Sequence, residues 1–221
     1  IMTKALRLKS SLFFADDVNG ERSGILADCR IKAEEQKILR MAEIKKTHGN
    51  TALLRQSFTE AEQLYTEAID LCPTAEFSHI YYCNRATARC EIGLKNETSK
   101  ATKKALFESA VEDCDASLRL KPDYTKAMFR GAFCKGEACF LDDDFDGAMV
   151  EFVRANTLNK DNKMLQFSMK KTKVAISAIE SKRKATEDER LIAEKEILRA
   201  EEKEKERKAM EEKRLHQERI R

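Results

Sequence analysis

The chain has 221 residues, with 42 Lys or Arg against 39 Asp or Glu, 37% charged side chains, two prolines and no tryptophan. No apolar run approaches the roughly 20 residues that a helical bilayer crossing requires, which argues against a membrane protein. Seven cysteines without a Cys-x-x-Cys pair argue against a disulfide framework and for a reducing compartment, so the expected location is cytoplasmic or nuclear.

Residues 1–40 read as an amino-terminal extension, partly helical. The apolar part of ALRLKSSLFF is too short for a secretory signal, and Ile1 ahead of Met2 suggests a cut and not a native start. From Ile31 the run KAEEQKILRMAEIKK is strongly helical and reaches Asn50 with no breaker, so the first helix of the next region extends backwards.

Residues 41–160 divide into three similar units, about 42–75, 79–124 and 125–158. In the second half of each, a small, a bulky and a small residue recur at +4 and +3: Ala61, Tyr65, Ala68; Ala110, Cys114, Ser117; Ala148, Phe152, Ala155. That spacing places all three on one helix face, where close helix pairing needs small side chains. Pro73 and Pro122 each follow the first of these small residues by twelve positions, where a helix must stop. Lys160 takes the corresponding place in the third unit, so its last helix is expected to run on.

The intervals are uneven. Asn84 to Ala110 spans 26 residues and Arg130 to Ala148 spans 18, against about 14 in a regular helix–turn–helix unit of about 34. The second unit therefore carries roughly twelve extra residues, mostly 94–105, and the third about four. These insertions are expected at one edge, leaving any groove intact.

Residues 161–221 read as a capping helix continuing into a long charged one. Met164, Leu165, Phe167, Val174 and Ile176 offer an apolar side to the last unit. From Ser181 the composition, 14 Lys or Arg and 12 Asp or Glu in 41 residues, cannot form a conventional core. Pairs such as Glu201 with Lys205, Glu204 with Lys208 and Glu211 with Arg214 support a solvated helix. Leu191, Leu198 and Leu215 offer a sparse partner seam, a spacing more often incidental than a coiled coil.

Neither catalysis nor metal binding is indicated. Cys134 and Cys139 fall on different helix faces, His48, His79 and His216 are scattered, and no phosphate loop, nucleophile elbow or metalloprotease motif occurs. The buried-face cysteines read as core filling. Asn96-Glu-Thr98 is formally a glycosylation sequon, without meaning outside a secretory route. No cofactor and no enzymatic activity are expected.

Five polar residues occupy matching places in the leading helices. Lys46 and Asn50 are four apart on one helix face, Lys126 and Arg130 repeat that spacing, and Asn84 lies in the helix between. One exposed lysine is ordinarily just solvated, but chance does not readily put these residue types on three helices lining one side of a solenoid. Three cations and two amides on one surface suit a pair of carboxylates.

The repeating pattern resembles the tetratricopeptide repeat. Lys46-x-x-x-Asn50 with Gly49, Asn84-Arg85, and Lys126-x-x-x-Arg130 resemble the dicarboxylate clamp of co-chaperones that bind the carboxyl-terminal Glu-Glu-Val-Asp of heat shock proteins 90 and 70. The run KPDYTKAMFRGAFC before a charged helix is most similar to the tetratricopeptide repeat protein four family, with repeat-bearing immunophilins next. The resemblance implies an all-α fold: a right-handed superhelix of three tetratricopeptide helix-turn-helix repeats, with a capping helix extended into a long charged carboxyl-terminal helix. It implies an adaptor holding the terminal carboxylate and Asp side chain through Lys46, Asn50 and Asn84. Lys126 and Arg130 would reach the Asp side chain, peptide backbone and upstream acids.

A further protein partner on the charged helix fits that role. The alternative is a structural scaffold whose groove takes an internal segment of another protein. Without its charged tail the chain has 28 basic against 27 acidic residues, which offers no broad field for nucleic acid.

Overall fold

The computed structural model describes residues 20–95 and 99–220. These form seven α-helices and no strand: α1 (Gly20–Leu54), α2 (Phe58–Leu71), α3 (Ser78–Leu94), α4 (Lys100–Leu120), α5 (Thr125–Leu141), α6 (Phe145–Leu158) and α7 (Lys163–Ile220). The ALRLKSSLFF stretch and the sequon at 96–98 lie outside the described residues.

Helix α1 packs on α2, α3 on α4 and α5 on α6, while α2 meets α3 and α4 meets α5. The leading helices also touch one another: α3 contacts α1 on one side and α5 on the other. They therefore make a continuous inner row, as stacked tetratricopeptide helix pairs do. The nine small and bulky residues at the repeating positions are all 0% exposed. Each buried aromatic among them contributes on the order of 1.5–3 kcal/mol of apolar transfer energy.

Close approach within each pair depends on a glycine in the leading helix. Gly49, Gly93 and Gly136 face the rings of Tyr65, Phe107 and Phe152, and a Cβ at Gly136 would lie 2.5 Å from the Phe152 ring. The core is divided. One cluster joins α3 to α6 through Ala86, Cys90, Phe107, Cys114, Phe133 and Phe152. Two smaller ones hold α1 and α2 to α3, around Ile38, Ile69 and Tyr81 and around Ala52, Tyr65 and Ala88.

Helices α2 and α4 stop at Leu71 and Leu120, two residues before the prolines. The third unit does not run on as Lys160 suggested. Asn159 turns extended at φ −153° and ψ 92°, which ends α6, and Asn162 Oδ1 accepts the Leu165 N–H at 2.9 Å, starting α7. Two asparagines do there what proline does in the other units.

Insertion lengths also need correction. Thr125–Leu158 spans 34 residues, a full unit with nothing inserted. Ser78–Leu120 spans 43 residues, and α4 has 21 residues against 14 in α2 and α6. The added length is thus partly two turns of helix, begun by Ser99, whose hydroxyl accepts the Thr102 N–H at 3.1 Å. Those turns lean on the next repeat: Lys100 pairs with Asp143 at 3.1 Å and Lys104 with Asp142 at 2.7 Å.

Of the expected capping residues only Leu165 is buried; Met164, Phe167 and Val174 are exposed. The stripe that packs is Leu165, Ser168 and Thr172. Two of its members are polar: the Ser168 hydroxyl donates to a buried carboxylate of the last repeat, Glu137, and the Thr172 hydroxyl donates to the Ser168 carbonyl at 2.8 Å. Burial pushes the Glu137 carboxyl above its ordinary range, with Ser168, Lys171 and Lys103 opposing. Lys171 Nζ lies 3.8 Å over the Phe140 ring.

The compact unit ends at Thr172, and Lys173–Arg221 forms a second unit. Its helix is laced by its own charges, with Arg207 donating twice to Glu204 at 2.9 Å and Arg214 between Glu211 and Glu218 at 3.8 Å. Leu191, Leu198 and Leu215 are exposed. No helix among the described residues is long and apolar enough to cross a membrane.

Candidate peptide-binding groove

Helices α1, α3 and α5 touch in sequence and carry the polar positions of three repeats. Asn50 and Asn84 meet directly, the Asn84 Nδ2 donating to Asn50 Oδ1 at 3.0 Å. The same oxygen accepts the Tyr65 hydroxyl at 2.7 Å.

Lys126 and Arg130 stand on α5, which contacts α3. Burial pushes the Cys83 thiol up, while Arg130 and Lys126 pull it down by their charge. Lys126 is exposed and makes no ion pair among the described residues. Arg130 is half-buried, with Nη1 donating to Cys90 Sγ at 3.6 Å. Cys90 is held below the ordinary thiol range by its contact with Cys134, against burial and with help from Arg130.

Lys46 has an acidic neighbour. It is paired with Glu43, one turn earlier on α1, and the other Glu43 oxygen faces the Tyr81 hydroxyl at 3.5 Å. Of the three cations, Lys46 alone has a carboxylate partner among the described residues. Sequence spacing could have shown this, since Glu43 and Lys46 are i and i+3.

Arg85, beside Asn84, is committed to the repeat interface. It donates to both Asp113 oxygens, at 2.9 and 2.6 Å, and to Thr66 at 3.2 Å. Arg89 joins Asp113 at 2.9 Å to Glu62 at 2.7 Å. These four charges fix α3 between α2 and α4, and so fix where Asn84 stands.

The row offers chiefly donors and positive charge, the chemistry that receives carboxylates. Five of the seven cysteines are buried and all are free. Among the described residues no group of three ligating side chains is placed to hold a metal.

The stacked helix pairs define a tetratricopeptide-type helical repeat. No family model matches the chain. A curated relative, the DnaJ homolog subfamily C member 7 homolog of Dictyostelium discoideum, is 28% identical over 140 residues, which is 63% of this chain and 23% of that protein. The chain thus spans less than a quarter of that relative's length. The Arabidopsis OM64 TPR domain is similar in structure, at 26% identity and TM-score 0.45, covering 62% of this chain and 97% of that one. The second TPR domain of human RPAP3, in complex with the HSP70 peptide SGPTIEEVD, is 24% identical at TM-score 0.43, covering 61% and 98%.

Proposed function

We propose that this chain is a docking adaptor that captures the carboxyl-terminal Glu-Glu-Val-Asp peptide of heat shock protein 90 and/or 70 in the groove of Lys46, Asn50, Asn84, Lys126 and Arg130. The observation that carries this reading is the meeting of Asn50 and Asn84 across two helices, next to α5, which contacts α3 and carries Lys126 and Arg130 four residues apart. Two amides would orient the terminal carboxylate while the α5 cations take the Asp side chain and upstream acids. Lys46 contributes once it exchanges Glu43 for a ligand carboxylate. A terminus of four or five residues offers few apolar contacts, so micromolar affinity, about 8 kcal/mol, is expected. The long charged helix is then free to engage a second protein.

Calorimetric titration with a peptide ending in Met-Glu-Glu-Val-Asp tests this. The free acid binds and the carboxyl-terminal amide binds far more weakly, and Lys126→Ala or Arg130→Ala weakens the free acid by about one to two decades, since each removes a charge-assisted hydrogen bond. Equal curves for acid and amide sink the clamp. Binding that survives the double substitution favours a scaffold taking an internal segment.

A further inference from the structure

Asn50 Oδ1 accepts two hydrogen bonds, from the Tyr65 hydroxyl at 2.7 Å and from Asn84 Nδ2 at 3.0 Å. A carbonyl oxygen has two lone pairs, so this one is saturated and the amide cannot turn over without losing both bonds. Its Nδ2 has no partner among the described residues, yet it is not among the buried unpaired atoms, so solvent reaches it. Asn50 is therefore held with its acceptor inward and its donor outward.

We propose that Tyr65 is a positioning residue of the groove: its hydroxyl, with Asn84, locks the Asn50 amide so that Nδ2 donates to the terminal carboxylate of the bound peptide. This rests on the docking reading above. A lone asparagine presents oxygen or nitrogen to a ligand with nearly equal ease, and an oxygen facing a carboxylate repels it. Fixing the amide beforehand removes the wrong rotamer before the ligand arrives. Tyr65 lies on α2, behind the groove. Burial pushes its phenol up to about 12, against the contact with Asn84, so it remains a donor at every ordinary pH. The ring serves the fold, since a Cβ on Gly49 would lie 2.7 Å from it, and the hydroxyl serves the site.

Tyr65→Phe separates these roles by keeping the ring. Wild type and variant are titrated with the Met-Glu-Glu-Val-Asp peptide as free acid and as amide, and their melting temperatures are compared. The variant should bind the free acid about 3- to 10-fold more weakly, the range one neutral hydrogen bond spans, with the acid-to-amide ratio compressed by the same factor. Asn50→Asp is the companion: it keeps both acceptor bonds but turns the outward donor into an oxygen. It should retain the melting temperature and lose more than about tenfold in affinity for the free acid.

Unchanged free-acid binding in Tyr65→Phe, with wild type still preferring acid to amide, overturns the proposal and leaves the clamp standing. Equal loss for acid and amide, tracking a lowered melting temperature, reduces Tyr65 to a packing residue. Free-acid binding retained by Asn50→Asp overturns the amide orientation itself. Failure of wild type to distinguish acid from amide removes the docking reading instead.

Discussion

Asp113→Asn should be the most damaging single-charge substitution in the repeats. The Asp113 side chain is 4% exposed and chelated by Arg85 and Arg89, themselves 14% and 19% exposed. After substitution Arg89 keeps Glu62 at 2.7 Å, but Arg85 keeps the Thr66 hydroxyl at 3.2 Å and at most one amide oxygen, with no carboxylate. One guanidinium is thereby stranded in a largely dry interface. Removing one partner of a buried pair costs about 3–5 kcal/mol, and the residual exposure of both arginines points to the lower end. With a urea slope of about 1–3 kcal/mol per molar, the midpoint should fall by about 1–3 M. Tyrosine fluorescence is the appropriate probe, because all four tyrosines lie in the repeats and the long helix does not contribute. Adding Arg85→Met removes the stranded charge and should recover part of the loss. A midpoint shift below about 0.3 M, or a double variant no better than the single one, refutes the reasoning.

Glu43→Gln frees Lys46 while keeping an acceptor for Tyr81; the pair is half-exposed and worth about 0.2–1 kcal/mol, so affinity for an acidic terminus should rise about 1.4- to 5-fold by calorimetry. Gly136→Ala sets a helix-propensity gain of about 1 kcal/mol against a Cβ 2.5 Å from the Phe152 ring. Overpacking of about 1–3 kcal/mol wins, and the melting temperature falls. Glu137 binds its proton more tightly folded than unfolded, so its contribution is fully present below the ordinary carboxyl range and lost as pH rises through the elevated folded value. Glu137→Gln should accordingly melt higher than wild type at pH 8 and no differently near pH 4.

Packing was the legible part of the sequence. The nine small and bulky positions follow from one periodicity and all are buried, and both prolines mark helix ends. Polar substitutes for familiar signals were harder to see. Asn159 and Asn162 end and begin helices without a proline, and Ser168 and Thr172 fill a capping stripe that a count of apolar residues assigns to Met164 and Phe167. The matching spacing of Lys46, Asn50, Asn84, Lys126 and Arg130 was visible, but the partners of their side chains were not. Tyr65 reads as a core ring because its hydroxyl's destination, Asn50, is fifteen residues away and set by how α1 crosses α2. Glu43 was nearer at hand, three residues from Lys46, and its pairing lowers the positive charge that Lys46 presents.

The division of the core gives the groove an uneven foundation. Lys46 and Asn50 stand on α1, held by the two small clusters, whereas Lys126 and Arg130 stand on α5, inside the cluster that runs through α6 to Leu165 and is braced by Lys100 and Lys104. Nearest-neighbour cooperativity then lets α1 and α2 open while the later repeats stay closed. A ligand touching both ends would act as a bracket across that boundary. Amide exchange should slow most in α1 and α2, the helices outside the large cluster.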